Sequence, residues 1–287
     1  MDGQLTKENY KALSIGKDIV RIIRYSDSTG KIGYGSEQAD GSAFAIRGDI
    51  FGEFAVTKDK AQVQQRLAPI VPAIIWCIGL NYKLHAKETG SKIPDYPILF
   101  AKSASTLQSP GAPIQIPTHL KSDEVDFECE LAVVVGKACK NVSRKQALNY
   151  VLGYTCANDV SARDWQLKRG GTQWCRGKTF DTFAPLGPAL VTKEDIPDPH
   201  TLRIQTILNG ESMQDGNTND MIFDIPTLIE FLSGSTTLLP GTVILTGTPL
   251  GVGLARKPPL FLKPGDNISI VIDKIGTLTN PVEAEPS

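Results

Sequence analysis

Val125-Asp126-Phe127-Glu128-Cys129-Glu130-Leu131-Ala132-Val133-Val134-Val135-Gly136 decides how this chain is read. Val133, Val134 and Val135 favour strand, and Gly136-Lys137 ends the run. In a strand, side chains two apart share a face, about 7 Å from one to the next. The pattern therefore predicts Asp126, Glu128 and Glu130 on one face of a half-buried strand. Three unpaired carboxylates are costly to bury, so a cation is expected among them. That cation is a Lys/Arg side chain or a divalent metal, and an all-oxygen donor set suits Mg²⁺, Mn²⁺ or Ca²⁺ better than zinc. The alternative is a solvated acidic strand end.

Outward from that strand, 287 residues allow one large domain or two unequal ones. A hydrophobic share of 41% and a charged share of 21% describe an ordinary globular chain. With 30 Lys+Arg against 31 Asp+Glu, the net charge of −1 gives no electrostatic case for nucleic acid or an anionic membrane. No apolar run approaches the ~18 residues of a transmembrane helix. Met1-Asp2-Gly3-Gln4 lacks the basic start of a signal peptide. The cysteines Cys77, Cys129, Cys139, Cys156 and Cys175 are odd in number and show no CxxC spacing. They read as reduced, partly buried thiols of a cytoplasmic protein, with a mitochondrial location left open, and none sits in an activating context.

Upstream, Ile19 to Tyr25, the turn Ser26 to Lys31 and the run from Ile32 predict a hairpin in a small β-rich N-terminal domain. Lys58 to Leu67 reads as a short polar helix, and Pro69 and Pro72 mark the junction to the next part. Ile74 to Leu80 predicts a buried strand. His85 and Glu88 follow, three apart, and would share a helical face, where a carboxylate can orient an imidazole as a general base. A plain surface pair is the alternative. His119 and His200, the only other histidines, lie in Pro-rich loops. Pro97 to Lys102 is another short strand, and Ser143 to Val151 a short helix with Ser143 as its cap.

Downstream, an apolar strand from Tyr154 runs into Asp159, and a helix starts nearby with Ser161 as a candidate cap. Asp159 could complete a carboxylate site. Arg163, three before Gln166 on one helical face, could grip a substrate carboxylate with its fork of donors. A capped helix turn with a surface Arg is the competing reading. Gly170-Gly171 is a joint, and Lys178 lies beside a strand. Asn209-Gly210 marks a tight hairpin, Pro226 to Leu232 a helix, and Leu262 to Gly276 another hairpin. Gly241 to Gly253 is a buried strand opening into a Gly/Thr-rich loop, whose N–H groups could hold an anion or a developing oxyanion. It is neither a Walker A loop nor a GxGxxG turn.

Five segments in this order resemble the fumarylacetoacetate hydrolase family: Gly79-Leu80-Asn81-Tyr82 with His85 and Glu88; Asp126-Phe127-Glu128-Cys129-Glu130-Leu131; Asp159-Val160-Ser161-Ala162-Arg163-Asp164; Gly177-Lys178-Thr179-Phe180; and Leu245-Thr246-Gly247-Thr248-Pro249. The resemblance implies a mainly β (α+β) protein: a catalytic mixed β-sandwich roll over residues 71–282, a small β-rich N-terminal domain over 1–70 and a tail over 283–287. It implies Mg²⁺, with Mn²⁺ or Ca²⁺ as substitutes, held by Glu128, Glu130 and Asp159. His85, Glu88 and Lys178 look like the catalytic groups, and Arg163, Gln166 and Thr248 look like substrate contacts. A keto-acid substrate and a homodimer are implied as well. Two departures stand out: Leu80, where some small-acid hydrolases carry Arg, and Leu84, where Asp often precedes the histidine.

A 1,3-dicarbonyl or 2-oxo acid can chelate a divalent ion, which then acts as a Lewis acid and stabilises the enolate. Hydrolysis of a C–C bond in a 2,4-diketo acid, decarboxylation and keto–enol tautomerisation all start there. Hydrolysis is the leading expectation, because the His85/Glu88 pair suits activation of water. Oxaloacetate tautomerisation or decarboxylation at the same site is the alternative.

Overall fold

The computed structural model describes residues 20–286. Ile19 and the Met1–Gln4 segment, both read above, lie outside the described residues. The first described elements are strands β1 (Arg21–Ser26), β2 (Ile32–Glu37), β3 (Ala43–Gly48), β4 (Phe54–Lys60) and β5 (Gln65–Leu67). Then come β6 (Ile74–Gly79), helix α1 (Lys83–Thr89), β7 (Ile98–Lys102), β8 (Leu107–Gln108), β9 (Ile114–Ile116), β10 (Val125–Asp126) and β11 (Cys129–Val135). The chain goes on through β12 (Val151–Asn158), β13 (Ser161–Ala162), a π-helical turn (Asp164–Arg169), α2 (Cys175–Lys178) and β14 (Ala184–Thr192). It closes with β15 (Arg203–Leu208), β16 (Glu211–Asn217), α3 (Ile225–Ser233), β17 (Thr242–Leu245), β18 (Asn267–Ile272) and β19 (Gly276–Ala284). The protein is mainly β with short helices.

One large mixed sheet runs in the order β4-β3-β2-β1-β14-β12-β11-β17-β6-β7, and a five-stranded sheet, β16-β15-β18-β19-β9, packs on it. β11 lies centrally, antiparallel to β12 and β17, while β17 and β6 are parallel. Its side chains alternate between two cores. Leu131, Val133 and Val135 join Ile204, Ile270 and Leu278 between the sheets, whereas Ala132 and Val134 join Ile22, Ile70, Ile75 and Leu186 on the other face. Burial on both faces explains why this strand reads as an unbroken apolar run rather than an alternating one. The N-terminal strands continue the large sheet through β1, which pairs with β14 at Arg21↔Val191 and Ile22↔Leu190.

Several local expectations are met. The β1–β2 hairpin forms, Asn209 and Gly210 turn at φ 52° and 87°, and α3 covers the helix expected over Pro226 to Leu232. Others change. Lys58 to Leu67 is no helix: β4 and β5 supply its ends, and the polar run Lys58-Asp59-Lys60 forms the exposed edge of the sheet. The acidic stretch is two strands, because β10 turns away to pair with β13 and Phe127 sinks into a third core with Val125, Val160 and Ala162. Ser161 lies in β13 and donates to Asp159 O instead of capping a helix, and the turn after it is π-helical. Between Ser143 and Val151 only a 3₁₀ turn, Ala147–Tyr150, forms. Strand pairing runs on to Ala284, and Glu285 N–H donates to Ile116 O, past the Glu283 boundary expected for a tail. Among the described residues no helix is long and apolar enough to cross a membrane.

Candidate metal centre and its loop

The register brings the termini of four strands together. Cys129 pairs with Asn158, Ala132 with Leu245, and Leu245 with Cys77, so the start of β11 and the ends of β12, β17 and β6 share one edge. Glu128 and Glu130 flank the first residue of β11, and Asp159 follows β12. One carboxylate oxygen from each lies within 4.8 Å of the others, and all three residues are buried. Glu128 and Asp159 are locked to each other through the backbone, Asp159 N–H donating to Glu128 O at 2.9 Å.

Each acid has its own partners. Glu128 accepts from Arg163 at 2.7 Å and from Lys178 at 2.7 Å. Burial would raise its carboxyl, but Lys178 and Arg163 hold it well below the usual carboxylate range. Asp159 accepts from Lys102 at 2.6 Å and from Lys178 at 2.9 Å. Burial disfavours the Lys178 ammonium, yet Asp159 and Glu128 keep it protonated beyond the ordinary lysine range. Glu130 differs: among the described residues it accepts only from Gly247 N–H, at 2.6 Å. Burial and the nearby Asp159 and Glu128 push its carboxyl well above the ordinary value. Among the described residues it is the one member of the set with no salt bridge, although Lys178 acts on it from further off. An all-oxygen, buried set with one uncompensated member fits a hard divalent ion.

Asp126 leaves the set. Its carboxylate accepts from Gly253 N–H at 2.7 Å, Leu254 N–H at 3.0 Å and Arg163 Nε at 2.9 Å. The shared face expected for Asp126, Glu128 and Glu130 thus breaks where β10 ends.

Arg163 is 5% exposed, and its three nitrogens are taken by Asp126, Glu128 and Gln166 Oε1, the last at 2.9 Å. The expected contact between Arg163 and Gln166 is present. The guanidinium braces the acids with three of its five N–H donors. Thr248 is likewise engaged: its hydroxyl donates to Cys129 O and accepts from Gln214 Nε2, at 2.9 and 2.8 Å.

His85 Nδ1 lies 3.0 Å from Glu88 Oε2 on α1, so the expected pair forms. Glu88 also accepts from Gly251 N–H at 3.0 and 3.1 Å. The loop after β17 therefore meets three acids through its backbone: Glu130 at Gly247, Glu88 at Gly251, and Asp126 at Gly253 and Leu254. The anions expected at this loop are the chain's own carboxylates. Gly253 has to be glycine, since an added Cβ would lie 1.9 Å from Leu260 O and 2.5 Å from Asp126 Oδ1.

Two site residues carried no role in the sequence reading. Lys102 was visible only as a lysine ending a strand. Gln214, fully buried, accepts from Cys129 N–H and Thr206 Oγ1 and donates to Thr248 Oγ1 and Pro249 O, tying β11, β15 and the loop together. A polar residue at an inward position of β16 was the available signal. Four cysteines are buried and Cys175 is exposed; Cys129 lies between Glu128 and Glu130, and burial pushes its thiol up to about 12.

The fold is a mainly β sandwich that carries a buried carboxylate centre, and the loop after β17 contacts both Glu130 of that centre and Glu88 of the His–Glu pair. The chain belongs to the fumarylacetoacetate hydrolase family, and residues 74–283 match the family profile described as fumarylacetoacetate (FAA) hydrolase C-terminal. It is 54% identical over 217 residues to a mitochondrial oxaloacetate tautomerase of Xenopus laevis, covering 75% of this chain and 67% of that one. Identity to a mitochondrial oxaloacetate tautomerase of Homo sapiens is 51% over 217 residues, covering 75% and 68%. Among solved structures, a 2-hydroxyhepta-2,4-diene-1,7-dioate isomerase from Mycobacterium marinum is 38% identical with a TM-score of 0.80, covering 93% of this chain and 100% of that one. A fumarylacetoacetate hydrolase from Exiguobacterium antarcticum is 34% identical with a TM-score of 0.83, at the same coverage.

Proposed function

We propose that this chain is a divalent-metal-dependent keto–enol tautomerase acting on oxaloacetate or a closely similar 2-oxo acid. The 54% identity to a protein named oxaloacetate tautomerase carries this reading over the C–C hydrolysis put first from the sequence. Hydrolysis of a 2,4-diketo acid is the second reading, favoured by the family description and the Exiguobacterium relative.

Glu128, Glu130 and Asp159 would hold the ion, Mg²⁺ or Mn²⁺, and when bound it supplies Lewis acidity toward the oxygens of a 2-oxo acid. The chain's own groups move the proton. With Glu88 accepting from His85 Nδ1–H, the lone pair lies on Nε2, the atom that takes a proton from carbon and returns it to oxygen. Gly251 N–H holds Glu88 in that orientation. Lys178 stays charged, so it acts as a fixed positive charge and donor rather than a base. Gln166 has its Oε1 on Arg163, which leaves its amide NH₂ for the substrate. Leu80 offers no charge to a second carboxylate.

The deciding assay follows the ultraviolet absorbance of enol-oxaloacetate with Mg²⁺, with Mn²⁺ and with EDTA. Parallel runs use 2-oxo monocarboxylates and 2,4-diketo acids. Metal-dependent interconversion is expected. Diketo-acid cleavage without interconversion would replace this reading by the hydrolase. A homodimer and a mitochondrial compartment, the latter in keeping with the relatives' names, belong to the same proposal. Sedimentation at the 31.0 kDa monomer mass would end the first, and exclusion from mitochondria on fractionation the second.

A further inference from the structure

We propose that Asp126, which is not one of the metal-site acids, is the positioning residue that sets the catalytic pair through the Gly247–Leu254 loop. The inference rests on the proposed reaction only for its kinetic readout.

Asp126 is fully buried and holds two separate parts of the site. Its Oδ1 receives Gly253 N–H and its own neighbour Phe127 N–H, and its Oδ2 receives Leu254 N–H and Arg163 Nε. The two parts differ in how far they depend on Asp126. Arg163 keeps its bonds to Glu128 and Gln166 without it, and Glu128 keeps Lys178. The loop keeps Gln214 on Thr248 and Pro249 and keeps Leu260 and Arg256 N–H on Gly253 O, but its two N–H groups have no such reserve. Gly253 and Leu254 N–H have no other acceptor among the described residues, and two residues earlier Gly251 N–H meets Glu88. The close fit confirms that the arrangement is tight, since a Cβ on Gly253 would lie 2.5 Å from Asp126 Oδ1. Displacing the loop end at Gly253 therefore carries Gly251 away from Glu88, and the carboxylate that orients His85 loses the N–H that holds it. Buried N–H groups stripped of their acceptor seek another, which drives that displacement.

The test uses Asp126→Asn, which keeps shape but presents an NH₂ toward Leu254 N–H or Arg163 Nε, and Gly253→Ala, which pushes the same contact apart from the other side. Turnover is measured with oxaloacetate at saturating Mg²⁺, metal affinity by calorimetry with Mg²⁺ alone, and amide hydrogen exchange over residues 247–254 and 83–89. Thermal unfolding confirms that each variant is folded, and if Gly253→Ala is not, Asp126→Asn decides alone. The expected result is a kcat about 10- to 100-fold lower, with KM and the Mg²⁺ Kd within about threefold of the parent protein, the range allowed to a site left intact. Exchange at Gly251 and in α1 should be faster in both variants. Exchange does not depend on which reaction the enzyme performs, so it still tests Asp126 if the tautomerase reading fails. Unchanged exchange at Gly251 and α1 would overturn the proposal, as would a loss of Mg²⁺ affinity that accounts for the whole fall in rate.

Discussion

Lys102 Nζ lies 2.6 Å from Asp159 Oδ1, and both side chains are fully buried. The contact places an ammonium from the end of β7 against an acid from the end of β12. Stranding a buried charge costs about 3–5 kcal/mol, and Asp159 keeps Lys178 at 2.9 Å when Lys102 is removed, so the cost here falls below that. Lys102→Met should therefore lower the thermal midpoint of the metal-free protein. Added Mg²⁺ should raise that midpoint more in the variant than in the parent, because the ion takes over part of the lost compensation. Equal Mg²⁺-induced shifts in the two proteins would count against this.

Glu130→Gln removes the one acid of the set with no salt bridge among the described residues while keeping its shape. Mg²⁺ affinity and activity should fall together, which calorimetry and the enol assay measure side by side. Full activity of the parent enzyme in EDTA would refute the metal centre altogether.

Arg163→Lys retains a charge but not the fork that spans Asp126, Glu128 and Gln166. From the sequence, loss of this arginine is expected to act on KM for anionic substrates. With the guanidinium committed to Glu128, the expected effect moves to the metal, a drop in affinity of about 10- to 100-fold. A raised KM with unchanged Mg²⁺ affinity would restore the substrate-binding role.

His85→Ala leaves all three candidate ligands in place. Tautomerisation should slow by about 10²–10⁴-fold, the usual worth of a general base, with metal binding retained. An unchanged rate would remove the histidine from the mechanism.

Glu37 gives a pH prediction away from the site. It joins Arg21 on its own sheet partner, at 2.9 Å, and Arg66 on β5, at 2.5 Å. Burial would raise its carboxyl, but Arg66 and Arg21 hold it below the ordinary value of 4.5. A depressed folded value means stability that is present above pH 4.5 and fades as pH falls through the folded value. Glu37→Gln should cost about 1 kcal/mol at neutral pH. The gap between the two proteins should close in acid, as read by urea midpoints across pH 3 to 7. A gap that stays constant with pH would exclude the ionised carboxylate as its source.

Much of this architecture is legible in the amino acids. The valine run of β11, the Asn209-Gly210 turn and the His85–Glu88 spacing each rest on short-range rules, and each forms. What escapes such rules is the choice of distant partner. Period-two alternation puts Asp126 with Glu128 and Glu130, but it carries no information that β10 pairs with β13 rather than with β12. The loop from Gly247 is readable as a row of anion-seeking N–H groups, yet nothing local says that Glu130, Glu88 and Asp126 are the anions. Lys58 to Lys60 looks helical because an exposed edge strand has no apolar face to reveal its period. Gln214 shows its role only once four acceptors and donors from three segments surround it.

The parallel pairing of β17 with β6, beside the antiparallel pairing of β17 with β11, bears on how the molecule is made. β6 and β11 leave the ribosome long before β17 exists, and neither can complete its ladder until that strand is inserted between them. Contacts this distant along the chain slow folding, because loop closure has to be met before they reward it. A nascent chain halted before Leu245 would already carry Glu128, Glu130 and Asp159, but would lack the strand that aligns them and the loop that receives them. Ion-binding competence should thus be among the last properties acquired during synthesis. Until then the two half-finished strand edges offer a docking target to chaperones.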